Sequence, residues 1–264
     1  CAHADIYNPS TNTFTDVTMN YPHDGSYGVK LSSGKYFIIG GSMDLGVAPG
    51  YATTETFDPG TNTFTASGSM NYSRCSMGAA ELADGKVLIA GAWYNTSGST
   101  YGEVYDPTGG TFTLTGSLID PRANPLILPT ADTGAVLLGG YGAYGTPSFT
   151  SVEYYDASDN AFHAVSSEII PTEPGWMVSG TTFLNRASVD YKMTDGRYLI
   201  GSYRNAPSLE YGLLTFDPAT KTFGRIATTT PIKDTITDGG FFDLVLNKAA
   251  NVAYLLGVDS ATDP

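Results

Sequence analysis

A short phrase recurs five times along this 264-residue chain and constrains its fold more than any other feature. Each copy carries two aromatic residues seven positions apart, with an Asn or Asp and small polar residues between them. The copies begin at Tyr7, Phe57, Tyr105, Tyr155 and Phe216, so successive copies are 50, 48, 50 and 61 residues apart. A period near fifty residues indicates an architecture built from one repeated supersecondary unit.

Each copy predicts a β-hairpin. The first aromatic ends an alternating run and is followed by an Asx residue, and in four copies a proline comes next, as in Asp58-Pro59. Asx-Pro favours a tight turn, because the Asx side chain bonds the backbone and proline fixes φ. A second alternating run then carries the second aromatic, here Phe64. Two such runs joined by turn residues are typical of antiparallel strands.

A second repeated feature lies upstream of each hairpin phrase or, for the first phrase, at the end of the chain. In the clearest example the turn residues Ser33-Gly34 precede an apolar run, Tyr36 to Ile39, which ends at Gly40. A continuous apolar run predicts a strand buried on both faces, and the glycine allows a close backbone approach or a positive φ. The counterparts lie at 84–91, 133–140, 195–202 and, in a weaker form, 251–257.

Together these features resemble the kelch motif. The resemblance rests on four strands per repeat, glycines after the second strand, and an acid two residues before the first aromatic of the third strand. That acid is Asp5, Glu55, Glu103 or Glu153, and Leu214 is the exception. The chain departs from the family pattern because the usual Trp of the fourth strand is Phe in every copy. The resemblance implies a β-propeller with one blade per repeat.

We therefore predict an all-β, five-bladed kelch-type β-propeller with four antiparallel strands per blade, in one domain over 1–264. The chain begins with strands three and four of a blade and ends with strands one and two, so both termini would share the closing blade. The predicted blades are 240–259 with 1–16, then about 24–66, 75–114, 124–164 and 186–225. The alternative is a fragment of a larger ring with six or seven blades.

The net charge and the cysteines limit which classes of partner and which cellular location are expected. The net charge is −13 and the pI is about 4.4, which argues against nucleic acid and anionic membranes as partners. No apolar run is long enough to cross a bilayer. We expect a secreted, cell-surface or periplasmic protein. Cys1 allows acylation as in a bacterial lipoprotein, with a fragment boundary as the alternative.

The loops that follow the second and fourth strands emerge on one face, where propellers usually bind ligands. Tyr and Trp on these loops suit the stacking of sugar rings or partner side chains, and the alternative is that they cover the hydrophobic rim. A longer loop before the fourth repeat adds Trp176 with Glu168 and Glu173, either as a wall of the site or as surface decoration. The predicted ligand-binding aromatics are Trp93, Tyr94, Tyr141, Tyr144, Trp176 and Tyr203.

Alignment on the repeats also places His23, Arg74 and Arg122 at one position near this face, with Arg186 after a one-residue slip. Arginine grips carboxylate or sulfate bidentately, so Arg74, Arg122 and Arg186 are predicted to read an anionic group. The alternative is structural, because an Arg here belongs to the kelch pattern and can cap strands or pair with the repeated Glu residues.

The sequence offers few residues that could form a catalytic or metal site. The chain has three histidines, too few at the loop face for a galactose-oxidase-type copper centre or a multi-histidine metal site. We predict no metal and no cofactor. The first function hypothesis is a module that binds a glycan or protein. The others are a glycoside hydrolase or lyase and a structural interaction repeat. Candidate catalytic residues for the enzyme are His23, Asp24, Asp120, Glu168, Glu173 and Asp238.

Overall fold

The structure is a computed structural model. It describes residues 2–42, 50–93, 100–140, 151–165, 176–177, 192–204, 210–226, 232–233, 242–247 and 252–257. Side chains are described for all of these up to residue 165, and then for 192–200 and 214–224. No helix within these ranges is long and apolar enough to span a membrane.

Three successive repeats form antiparallel four-stranded sheets in which neighbouring strands follow one another in sequence. Sheet one contains β3 (Tyr27–Lys30), β4 (Tyr36–Ile39), β5 (Tyr51–Asp58) and β6 (Thr63–Arg74). Sheet two contains β7 (Gly78–Glu81), β8 (Val87–Ala90), β9 (Tyr101–Asp106) and β10 (Thr111–Ser117). Sheet three contains β11 (Leu126–Pro129), β12 (Ala135–Leu138), β13 (Val152–Asp156) and β14 (Ala161–Ala164).

The rest of the described chain is also antiparallel sheet. The first hairpin is β1 (His3–Asn8) and β2 (Thr13–Thr18). Sheet four contains β15 (Trp176–Met177), β16 (Tyr198–Arg204), β17 (Glu210–Asp217) and β18 (Thr222–Ile226), and β19 (Ile232–Lys233) pairs with β17. The last hairpin is β20 (Phe242–Asn247) and β21 (Val252–Gly257). The predicted all-β class with four antiparallel strands per repeat is confirmed for sheets one to three.

The recurring aromatic phrase is confirmed as a hairpin in all five copies. The two aromatics of each copy face each other across the strand pair, as Tyr105 faces Phe112 with ring centroids 4.7 Å apart. The fixed seven-residue spacing is therefore the register of the hairpin. The other facing pairs are Tyr7–Phe14, Phe57–Phe64, Tyr155–Phe162 and Phe216–Phe223.

The turns of these hairpins use the residues that the sequence offers. The Asp58 carboxylate accepts from the Gly60 amide at 2.8 Å, as expected of an Asx turn. The residue five positions after the first aromatic has a positive φ in every copy, which favours Asn or Gly. These residues are Asn12, Asn62, Gly110, Asn160 and Lys221.

The sheets pack face to face, and the core lies between them. The first strands β3, β7 and β11 are neighbours, and so are the fourth strands β2, β6, β10 and β14. Alternate residues of one strand face opposite sheets: Val87 packs with Phe37 of sheet one, whereas Leu88 packs with Leu137 of sheet three. This confirms the strand buried on both faces, since Val87, Leu88 and Ile89 are all fully buried.

The two ends of the chain do not form the predicted shared blade in this structure. Hairpins β1–β2 and β20–β21 are separate two-stranded sheets, and no ladder joins the described parts of β21 and β1. The aromatic pair of the first hairpin is uncovered: Tyr7 is 49% exposed and Phe14 is 70% exposed. The equivalent Phe216 is completely buried. Strands β6 and β10 also extend beyond the predicted blade limits at 66 and 114.

Candidate functional site

The connections after the second and fourth strands of each sheet lie at the same end of the sheets, as the up-and-down strand order requires. We call this the loop end, and the opposite side the turn end. Backbone hydrogen bonds join neighbouring connections at the loop end: Gly41 N donates to Arg74 O at 3.0 Å, and Ala92 N donates to Arg122 O at 3.0 Å. Trp93 N donates to Cys75 O at 2.8 Å. The predicted face is therefore built from loops that hold one another.

Beneath the loop end lies a repeated carboxylate that we call the glutamate clamp. In sheet two, Glu103 on β9 is fully buried and accepts from the backbone amides of Asn71 and Tyr72 at 2.7 and 3.1 Å. The Asn71 side-chain amide donates to the same carboxylate at 2.9 Å. Since these donors lie near the end of β6 in sheet one, the carboxylate fastens one sheet to the next.

A buried cation completes the clamp. Arg74 is fully buried, and one terminal nitrogen lies 3.1 Å from Glu103 Oε1 while the other donates to Gly91 O at 3.2 Å. Burial lowers the pKa of Arg74, and the adjacent Glu103 carboxylate acts in the opposite direction. An ion pair excluded from water requires hydrogen bonds to its remaining groups, and the connecting backbone supplies them here.

The same arrangement recurs one sheet further along the chain. Glu153 on β13 accepts from the amides of Ile119 and Asp120 at 2.8 and 3.1 Å, and Arg122 donates to it at 2.6 Å. Arg122 also donates to Gly139 O at 2.9 Å, which matches the contact between Arg74 and Gly91. In both sheets the acceptor glycine lies seventeen residues after the arginine.

In sheet one, a histidine takes the place of the arginine. Glu55 accepts from the backbone amides of Asn20 and Tyr21 at 2.9 and 2.7 Å. His23 Nε2 lies 3.3 Å from Glu55 Oε1, and His23 Nδ1 donates to Gly40 O at 2.7 Å. The side chain of His23 is only 2% exposed.

This geometry favours the structural alternative for the predicted anion-reading arginines. Arg74 and Arg122 lie inside the protein and their guanidinium groups bind protein acceptors, so neither is placed to grip a ligand from solvent. Arg186 lies outside the described residues. The catalytic candidate His23 is likewise buried in a clamp.

The remaining catalytic candidates are not gathered at one place. Asp24 is exposed, and its backbone carbonyl accepts from Ser42 N at 2.7 Å. Asp120 is partly exposed and accepts from the Ser151 hydroxyl at 2.5 Å. Three further candidates lie outside the described residues: Glu168, Glu173 and Asp238.

The predicted aromatics are only partly described. Trp93 is half-buried at the loop end. Strand β15 pairs with β16 in a register that places Trp176 opposite Arg204 and Met177 opposite Tyr203, so the inserted segment adds an edge strand beside β16. Tyr94, Tyr141 and Tyr144 lie outside the described residues.

The structure adds three tyrosines to the loop end that the sequence prediction missed. Tyr21 and Tyr72 each stand two residues before the cationic member of a clamp, and Tyr21 is 38% exposed. Tyr72 stacks on Tyr101, with ring centroids 5.9 Å apart and an interplanar angle of 14°. The signal was available, because the alignment that placed His23 and Arg74 at one repeat position also aligns Tyr21 with Tyr72.

One group of possible metal ligands is found among the described side chains. Asp156, Asp159 and His163 each offer a ligand atom within 4.8 Å of the others at the turn end of sheet three. Both carboxylates already accept from backbone amides of the turn, Asp156 from Ser158 N at 2.8 Å and Asp159 from Ala161 N at 3.1 Å, and Asp159 also pairs with His163 at 2.9 Å. The group is therefore explained by turn formation and a surface ion pair.

Comparison with known proteins does not identify a family for this chain. No family model matches the chain, and no curated protein matches it. A solved structure that is similar is described as a novel fungal alcohol oxidase with catalytic diversity among the AA5 family, in complex with copper. The identity is 16% and the TM-score 0.47, over 86% of this chain and 59% of that chain. The present chain thus spans less than two thirds of the length of that oxidase.

Proposed function

We propose that this protein is a secreted or surface-attached binding module that holds a glycan or a partner protein at its loop end. The observation that carries the proposal is the row of aromatic side chains there. Tyr72 and Tyr101 form a stacked pair, Tyr21 occupies the equivalent place one sheet earlier, and Trp93 stands beside Cys75 in the same set of loops. Tyr and Trp present an apolar face and a polar tip, which suits sugar rings and protein hot spots.

The burial of the clamp side chains favours a binding function over a catalytic one. The clamps take up six charged or titratable side chains at this end: Glu55, Glu103, Glu153, His23, Arg74 and Arg122. All six are buried and hydrogen-bonded to connecting backbone or to one another. Because these groups hold the loops in place, we assign the contact with a partner to the aromatic surface of the loop end.

The test is a glycan-array screen of the whole protein, repeated with Tyr72→Ala and Trp93→Ala. The control is Tyr36→Ala, because Tyr36 is a tyrosine that is 39% exposed but lies at the turn end. We expect loop-end variants to weaken binding by at least about tenfold and the control to bind as the parent does. Equal loss in the control would refute a loop-end site. If the protein binds no glycan, the glycan hypothesis is rejected and the protein-partner hypothesis remains. A protein partner would then be sought by cross-linking through the same tyrosines.

We further propose the finer fold, a kelch-like five-bladed propeller in which β21 pairs with β1. Two observations support it: β2 already lies beside β6 in the series of fourth strands, and the Tyr7–Phe14 face is uncovered where every other described pair is at least partly buried. The test is amide hydrogen exchange along β1. If β21 pairs with it, the amides of β1 that point away from β2 will be protected, whereas rapid exchange at those amides would contradict closure.

A further inference from the structure

A cavity of about 300 Å³ lies between the first strands of the sheets, at the turn end and away from the aromatic loop end. Its walls come from β3, β7 and β11, with Tyr198 and Pro218 contributed by sheet four. Much of the wall is small or apolar, including Gly28, Ala80 and Leu128. A concave, mainly apolar pocket with a few polar groups is the usual form of a small-molecule site.

The charges of the wall are unusual for this protein. Eight lysine and arginine side chains are described, and six of them pair with a carboxylate within 4 Å. These pairs are Lys35–Asp58, Arg74–Glu103, Lys86–Asp84, Arg122–Glu153, Arg197–Asp195 and Lys221–Asp132. The remaining two, Lys30 and Lys192, both line the cavity. In a chain with a net charge of −13, the two described cations without a carboxylate partner thus share one cavity.

The other polar groups of the wall leave this positive charge available. Glu81 is the acidic side chain in the wall, and its carboxylate accepts from Ser32 N and Ser32 Oγ at 2.7 and 2.8 Å. Lys192 Nζ lies 5.6 Å from the centre of the Tyr198 ring, a contact that positions the ammonium without neutralising it. Tyr198 is 6% exposed, and no hydrogen bond joins its hydroxyl to the described residues. A phenol in this position can donate to a bound oxyanion.

We propose that this cavity binds a small organic carboxylate, with the carboxylate held between Lys30 and Lys192 and the apolar body against the first strands. Lysine supplies a point charge that suits a carboxylate, and the adjoining apolar wall selects a ligand with a hydrophobic part over a bare inorganic anion. This site is separate from the proposed loop-end function and does not depend on it.

The experiment follows amide chemical shifts of the whole protein by NMR during titration with benzoate. Benzyl alcohol is the control ligand without the negative charge, and inorganic phosphate is the control anion without an apolar part. The variant is Lys30→Gln with Lys192→Gln. Its matched control is Lys35→Gln with Lys86→Gln, which removes the same charge from two turn-end lysines that lie outside the cavity wall.

We expect benzoate to shift the amides of Gly28, Ala80 and Leu128 and to bind at least about tenfold more weakly to the cavity variant. The control variant should bind within about twofold of the parent, and binding should weaken with added salt. The proposal is overturned if benzoate leaves those amides unshifted or binds the cavity variant as it binds the parent. It is equally overturned if benzyl alcohol or phosphate binds as tightly as benzoate. Any of these results leaves the glycan-array outcome at the loop end unchanged.

Discussion

The glutamate clamp makes the most direct prediction about stability. Glu103→Gln keeps the shape of the side chain but removes its charge and replaces one acceptor oxygen with an NH₂ group. In the parent protein, the Asn71 donors bind one carboxylate oxygen, and the Tyr72 amide and Arg74 bind the other. In the variant, the NH₂ group would therefore face hydrogen-bond donors in either orientation. Arg74 would also remain fully buried without its counter-ion. We expect a loss of about 3–5 kcal/mol in the free energy of unfolding, the range for breaking a buried ion pair from one side.

The assay is urea unfolding followed by tryptophan fluorescence and far-ultraviolet circular dichroism, with a thermal melt beside it. For a chain of this size, about 3–5 kcal/mol corresponds to a fall of roughly 6–20 °C in Tm. The matched control is Glu81→Gln. Glu81 also joins two sheets, through the amide and hydroxyl of Ser32, but it pairs with no buried cation. Its loss should cost only about 1 kcal/mol.

A double-mutant cycle with Arg74→Met separates the ion pair from the hydrogen bonds to the connection. The two substitutions should be non-additive by about 1–3 kcal/mol, since each single variant strands the partner that the double variant also removes. The reasoning is refuted if Glu103→Gln melts within about 2 °C of the parent, or if the cycle is additive within about 0.5 kcal/mol.

Three further predictions concern local conformation and charge. Thr133 has φ +67° in the turn where the other described sheets have glycine, so Thr133→Gly should raise the free energy of unfolding by about 1 kcal/mol; a lower urea midpoint would contradict this. Gly91 has φ +81°, and an added Cβ would lie 2.7 Å from Arg122 O, so Gly91→Ala should cost more than about 2 kcal/mol, against no change for an alanine at an open surface position. Burial raises the pKa of Asp132, but hydrogen bonds from Lys221 and neighbouring hydroxyls outweigh it and hold the pKa at about 2. The stabilisation from this carboxylate is therefore complete above its ordinary value of 3.8 and lost as the pH falls towards 2. Lys221→Met should raise the pKa measured by carboxyl NMR, and an unchanged value would show that the lysine contributes little.

Several features of the fold followed from the sequence because they are local. The seven-residue aromatic spacing fixes a hairpin register, which all five copies adopt. The apolar run at Val87 to Ala90 predicted a strand with both faces buried, and alternate residues do pack on opposite sheets. One detail of the repeat alignment was shifted: Thr133, rather than Gly134, occupies the positive-φ turn position held by Gly34 and Gly85. Gly134 instead leaves room for the Tyr154 side chain.

The functional surface was less predictable for a physical reason. An arginine near a loop has the same sequence signature whether it faces a ligand or a buried carboxylate, and only packing decides between them. The loop-end tyrosines show the same limit. Tyr21 and Tyr72 stand at one repeat position, but the stacking of Tyr72 on Tyr101 depends on packing between β6 and β9, which belong to different sheets.

The sequence by itself thus determined the repeat, the hairpins, their register and the strands buried on both faces, since each depends on residues close together in the chain. The tertiary structure decided that Arg74 and Arg122 serve the clamps, that aromatic rings meet at the loop end, and that Lys30 and Lys192 share a cavity. These outcomes bring together residues some thirty to one hundred and sixty positions apart, whose placement is set by how the sheets pack rather than by any local pattern.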